Sequence, residues 1–117
     1  MKIQEIRDIL DAKIICGHEL MDTEVTSACA SDMMSDVLAF VKDQAVLITG
    51  LNNPQVIRTA LMMDMLCVIF VRGKQPDEMS VNLAKEKGIV ILSSNHRMYT
   101  ASGLLYLNGL RGGALDV

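Results

Sequence analysis

The chain has 117 residues, half of them hydrophobic, with 11 Lys and Arg against 14 Asp and Glu and a net charge of −3. That length suits one domain with a core that needs no staples, and the apolar content excludes a disordered chain. The charges are interspersed without a basic run, and Phe40, Phe70, Tyr99 and Tyr106 are the only aromatic residues. Neither a phosphate-backbone footprint nor a base-stacking platform is present, which argues against nucleic acid as a partner. The three cysteines, Cys16, Cys29 and Cys67, are odd in number, widely spaced and set in apolar runs. They read as reduced thiols of a cytoplasmic protein, without a disulfide framework or metal-ligand spacing. No apolar stretch is long enough to span a membrane, and no targeting segment opens the chain.

In chain order, Ile3, Ile6, Ile9 and Leu10 follow helical spacing and predict a short N-terminal helix. Ala12 to Cys16 reads as a strand, His18 to Glu24 as a polar turn, and Val25 to Ala30 as a small-residue strand. A helix follows, with Ser31 or Asp32 as its N-cap and Val37, Leu38 and Val41 as its buried stripe. Ala45 to Ile48 is a fully apolar strand. Asn53 then caps a helix that opens on Pro54, with Val56, Ile57, Ala60 and Leu61 facing inward.

Leu66 to Val71 is the strongest strand signal, apolar throughout, as in a strand buried on both faces. Pro76 and Asp77 start the next helix, with Met79, Val81, Leu83 and Ala84 available for its inner face and Gly88 as its stop. Ile89 to Leu92 is the last strand. Ser94 or Asn95 caps a final helix that runs through Leu107 and closes at Gly109. A single domain is expected over residues 1–110, with a flexible tail from 111 to 117.

Strands alternating with helices imply a mostly parallel sheet of about five strands, covered by helices on both faces. The first strand is a candidate edge strand, with an antiparallel orientation open to it.

Three separated stretches carry a family resemblance: Ala30 to Ala39, Thr49 to Ala60 and Phe70 to Lys74. Together they resemble the DRTGG domain family, in the expected order, over nearly the whole chain. The eponymous Asp-Arg-Thr-Gly-Gly string is absent; Arg58-Thr59 and Gly112-Gly113 are not adjacent and do not form it. The resemblance implies a three-layer α/β/α fold similar to the N-terminal domain of HPr kinase/phosphorylase. Family members stand alone, are joined to CBS domains in regulated pyrophosphatases, or lie inside phosphotransacetylase-like proteins. The implied role is regulatory or dimerising, with no catalytic residues. A regulated enzyme would have to be a partner acting in trans.

In a parallel sheet the loops after the strands gather at one edge, where ligands bind. The candidate ligand-binding residues there are Ser31, Asp32, Thr49, Gly50, Asn52, Asn53, Arg72, Lys74, Ser94 and His96. Gly50 permits close approach to the backbone, and the helix after Asn53 offers free N–H groups to an anion. Arg72 and Lys74 suit a phosphate or carboxylate. Plain cap and turn chemistry accounts for Ser31, Asp32, Asn53 and Pro54 equally well. No Gly-Lys-Ser/Thr phosphate loop and no GxGxxG fingerprint occur. His96 beside Ser94 lacks an orienting third group, and no cofactor or metal is implied.

Met33, Met34, Met62, Met63 and Met65 cannot all face one core, because adjacent helix residues diverge by about 100°. Their excess motivates a homodimer. The expected function is a non-catalytic ligand-sensing and dimerisation module for a small anionic metabolite or nucleotide. A pure interaction module acting on an enzyme is the alternative, and an enzyme of unknown reaction the remote one.

Overall fold

A computed structural model describes residues 1–40 and 45–113. The elements run α1 (Ile3–Leu10), β1 (Lys13–Cys16), a single 3₁₀ turn (His18–Leu20), β2 (Ser27–Ala30), α2 (Met34–Phe40), β3 (Ala45–Thr49), α3 (Pro54–Met62), β4 (Cys67–Phe70), α4 (Glu78–Lys87), β5 (Val90–Ser93) and α5 (Met98–Leu107). They form a five-stranded sheet in the order β1-β5-β4-β3-β2. Strands β2 to β5 are mutually parallel, and β1 joins β5 antiparallel at the edge. A register shift between Ile14 and Cys16 interrupts that antiparallel ladder.

The period-2 alternation of the strands divides the core into two. Val46, Ile48, Cys67, Ile69, Val90 and Leu92 face α1 and α5, whose Ile3, Ile6, Leu10, Ala101 and Leu105 complete that layer. Leu47, Val68, Phe70 and Ile91 face α2, α3 and α4, meeting Val37, Val56, Ile57, Ala60 and Ala84. Sequential parallel strands place α2, α3 and α4 side by side, and α2 packs on α3 and α3 on α4. Central β4 is fully buried, as its unbroken apolar run requires. Its Phe70 is the largest fully buried side chain.

Several element ends differ from the sequence reading, each for a local reason. Asp77 lies outside α4 as its N-cap, accepting a hydrogen bond from Ser80 N at 2.8 Å. With the helix starting at Glu78, the inward pair at i, i+4 is Ser80 and Ala84. Met79 is therefore exposed, and Val81 and Leu83 are half-buried. Leu61 is also half-buried. On α2, Leu38 is exposed, whereas Val37 is buried; Val41 lies outside the described residues.

Neither Ser94 nor Asn95 caps α5. The Ser94 N–H donates to Phe70 O, continuing the parallel ladder past β5. The helix begins only at Met98, with Arg97 as an N-cap that makes no side-chain hydrogen bond. Leu110 is buried against the α1–α5 layer, and the carbonyl of Arg111 accepts from Ala28 N. Of the expected tail, residues 114–117 lie outside the described residues.

Candidate functional site

Parallel β2, β3, β4 and β5 end at Ala30, Thr49, Phe70 and Ser93, and in-register pairing aligns these ends along one edge of the sheet. The helix after β4 returns over one face of the sheet, while α5, after β5, returns over the other. Adjacent strand ends whose chains part to opposite faces open a crevice between them.

The loop after β2 turns toward β3. Ser31 Oγ accepts from Met33 N at 3.0 Å, a local turn, and α2 starts only at Met34. Asp32 does not cap α2. Its Oδ1 accepts from Gly50 N at 2.7 Å and from Thr49 Oγ1 at 3.0 Å. Thr49 Oγ1 in turn accepts from Leu51 N at 3.1 Å. The Gly50 N–H, helped by the Thr49 hydroxyl and the Arg72 charge and opposed by partial desolvation, holds the Asp32 carboxyl below its usual value of 3.8. Asp32 is thus an anion at neutral pH. It occupies the Gly50 N–H, in the loop where the sequence predicts a ligand's approach to the backbone.

Arg72 lies across the same spot. A Cβ on Gly50 would collide with Arg72 Nη2 and stand 3.1 Å from Cζ, so any larger residue there would push the guanidinium aside from its place over residue 50. Arg72 is an exposed non-glycine residue at φ +60°, a conformation that L-residues rarely adopt. Two backbone bonds hold it there: Arg72 N donates to His96 O at 2.7 Å, and Gly73 N to Ser94 O at 2.8 Å. These bonds stitch the loop after β4 to the loop after β5. Among the described residues, neither the guanidinium of Arg72 nor the ammonium of Lys74 makes a hydrogen bond or ion pair.

A second chain of bonds runs along the edge. Asn52 Nδ2 donates to Gln75 O at 3.0 Å, Gln75 Nε2 to Ser93 Oγ at 3.4 Å, and Ser93 Oγ to Lys74 O at 2.9 Å. Gln75 and Ser93 were not among the sequence candidates. Ser93 carried a signal, being a polar residue at the last position of an otherwise apolar strand; Gln75 carried none. Asn53 caps α3 by accepting from Gln55 N at 3.1 Å. The Ser94 hydroxyl donates to Leu10 O and accepts from the backbone N–H of His96, so it is not paired with the imidazole.

The ten candidates therefore divide. Asp32, Thr49, Gly50 and Arg72 form one tight cluster, and Ser94 and His96 join it through the backbone of Arg72 and Gly73. Asn52 belongs to the second chain of bonds, together with the backbone carbonyl of Lys74. Ser31 and Asn53 serve local turn and cap geometry.

Among the described residues no group of three His, Cys, Asp or Glu side chains gathers to hold a metal ion. Burial pushes the Cys29 thiol up, with the Asp36 charge adding to the shift, and it pushes Cys67 up further. Neither is an activated thiolate. No helix among the described residues is long and apolar enough to cross a membrane.

This architecture, a mostly parallel sheet between two helical layers with its polar loops at one edge, defines a small α/β module. Residues 5–107 match the family model of the DRTGG domain, and the chain belongs to that family. Its fold is similar to the crystal structure of the CBS and DRTGG domains of the regulatory region of Clostridium perfringens pyrophosphatase, complexed with the activator diadenosine tetraphosphate. The TM-score is 0.74 at 20% identity, over 89% of this chain and 45% of that one. The chain thus spans less than half the length of that structure. No curated protein matches the sequence.

Proposed function

We propose that this chain is a non-catalytic regulatory module. It self-associates, senses a small anionic metabolite, nucleotides included, at the strand-end edge, and acts on an enzyme in trans. The observation that carries the ligand reading is Arg72. Its backbone is held in a left-handed conformation by two loop-to-loop bonds, and its guanidinium lies over Gly50 without a hydrogen-bonding partner. A cation positioned at the expense of backbone strain suits recognition of a phosphate or carboxylate. Lys74 and His96 lie in the two loops joined there. Membership of a family that also occurs in a pyrophosphatase regulatory region supports the regulatory class.

Asp32 supports the second reading, a pure protein-interaction module. The edge already carries an internal anion on the Gly50 N–H, which leaves fewer donors for an external one. A thermal-shift titration with nucleotides, acyl phosphates and sugar phosphates separates the two. A ligand bound only by the folded chain raises the melting temperature by an amount that grows with its concentration. Arg72→Ala is expected to remove that rise while leaving the ligand-free melting temperature nearly unchanged. An equal rise in the variant takes Arg72 out of the site. Silence across the whole panel favours the interaction module.

A further inference from the structure

We propose that the recess between the 3₁₀ turn and the end of α4 is a second ligand site, separate from the strand-end edge, which takes a small apolar α-amino acid as its zwitterion.

The recess lies at the opposite pole of the sheet. Strand β1 runs against its neighbour, so its last residue, Cys16, pairs with Ile91 near the start of β5. The chain leaving β1 therefore turns beside the last turn of α4, which leads into β5. Gly17 makes that turn possible. Its φ is +91°, and a Cβ there would stand 2.8 Å from Val90 Cγ2 and 2.9 Å from Val90 Cα. Only glycine fits both the conformation and the close approach. His18, Glu19 and Leu20 follow as a single 3₁₀ turn, closed by Leu20 N donating to Gly17 O at 2.8 Å.

Between this turn and α4 lies a cavity of about 310 Å³. Leu20, Ala84 and Ile89 give it apolar walls, and His18, Glu19 and Lys85 give it a polar rim. The Cys16 thiol is buried in the inner wall and donates to Ile89 O at 3.5 Å. Burial raises its pKa above the usual value, which makes it a wall and not a nucleophile. In smaller measure the Lys85 charge lowers that pKa and the Glu19 charge raises it, so both charges are felt at the inner wall.

Glu19 and Lys85 carry opposite charges on the two elements that enclose the cavity, yet they do not pair. All three rim side chains are exposed, and among the described residues none of them makes a hydrogen bond or ion pair. Opposite charges held apart by a recess select its occupant. A simple anion meets Glu19 and a simple cation meets Lys85, so each gains one attraction and suffers one repulsion. A zwitterion satisfies both, with its ammonium on Glu19, its carboxylate on Lys85 and His18 as a further donor. The apolar walls give its side chain a surface to bury against. The volume stands at the lower end of the roughly 300–1,000 Å³ of ligand pockets, which suits a free amino acid and not a dinucleotide.

A thermal-shift titration of the full chain with L-alanine, L-valine, L-leucine, L-isoleucine and L-methionine tests this. At least one of them is expected to raise the melting temperature by an amount that grows with its concentration. For that amino acid, the affinity measured by calorimetry is expected to fall at least about tenfold in Glu19→Gln and in Lys85→Gln, since each removes a charged hydrogen-bonding partner. Both side chains are exposed, so the ligand-free melting temperature and circular dichroism spectrum should match the wild type. The amide of the same amino acid, and its deaminated acid, should each lose affinity by a similar factor. Arg72→Ala should bind it as the wild type does, which separates this site from the strand-end edge. Silence across the panel overturns the proposal. So does binding that survives either Glu19→Gln or Lys85→Gln, and so does binding that Arg72→Ala abolishes.

Discussion

The strand-end edge and the outer face of α5 are two surfaces of this fold built on opposite terms. The edge is polar but largely satisfied from within. Asp32 takes the Gly50 N–H and the Thr49 hydroxyl, Ser93 serves Lys74, and Asn52 serves Gln75. What it leaves over is cationic: Arg72 and Lys74. The α5 face is mostly apolar: Tyr99 and Leu107 stand in water, and the half-exposed Tyr106 ring carries the Arg111 guanidinium 3.9 Å from its centre. A surface that spends its polar groups on itself is preorganised and can discriminate a ligand. A surface that buries nothing gains simply by being covered.

The sharpest test of that contrast lies within α5 itself. Leu105→Ala, on the fully buried side, is expected to cost about 2–5 kcal/mol in urea denaturation. Leu107→Ala in dilute solution should change the same measurement by no more than about 0.5 kcal/mol. Equal losses would mean that the outer face is already covered within one chain.

At the edge, Asp32→Ala strands the Gly50 N–H and the Thr49 hydroxyl, with an expected loss of about 2 kcal/mol. The pH dependence gives a cleaner reading. The folded-state pKa of Asp32 lies below its usual value, so its stabilisation is present above the unfolded-state pKa near 3.8 and is lost as pH falls through the folded one. Urea midpoints compared between pH 6 and pH 2.5 should therefore fall less in Asp32→Asn than in the wild type. Identical falls would show that the charge of Asp32 contributes nothing to stability.

A further expected effect at the edge has the opposite sign. Arg72→Gly relieves the left-handed strain and should stabilise the chain by about 1 kcal/mol while removing any thermal-shift response to anions. A destabilised Arg72→Gly would mean that the guanidinium's place over Gly50 contributes more than the backbone strain costs.

The elements that depend on pattern alone were legible in the sequence. The unbroken apolar run of β4 predicted a strand covered on both sides, and Asn53-Pro54 marked the start of α3. Caps that compete with tertiary partners were not legible. Asp32 has the chemistry of a cap, but Gly50 N–H, distant in sequence, holds it instead. Ser94 looks like a helix start, but the ladder with Phe70 claims its backbone first. The convergence of Asp32, Thr49 and Gly50 follows from the parallel order of the strands. The left-handed turn at Arg72 does not, because glycine follows it and would ordinarily take that conformation alone. The exposed stripe of α5 was missed because apolar spacing reports which residues could be buried, not which face finds a neighbour.

The N-terminal ammonium of Met1 donates to Glu24 and to Val25 O, while the carbonyl of Arg111 accepts from Ala28 N. Both stretches of chain are therefore fastened beside the same strand, at points three residues, or about 10 Å, apart. A longer polypeptide could enter and leave this unit almost at a single point. Splicing the unit into a host protein would then ask little of the host's geometry, and any strain arising within the unit would reach the host through one narrow neck.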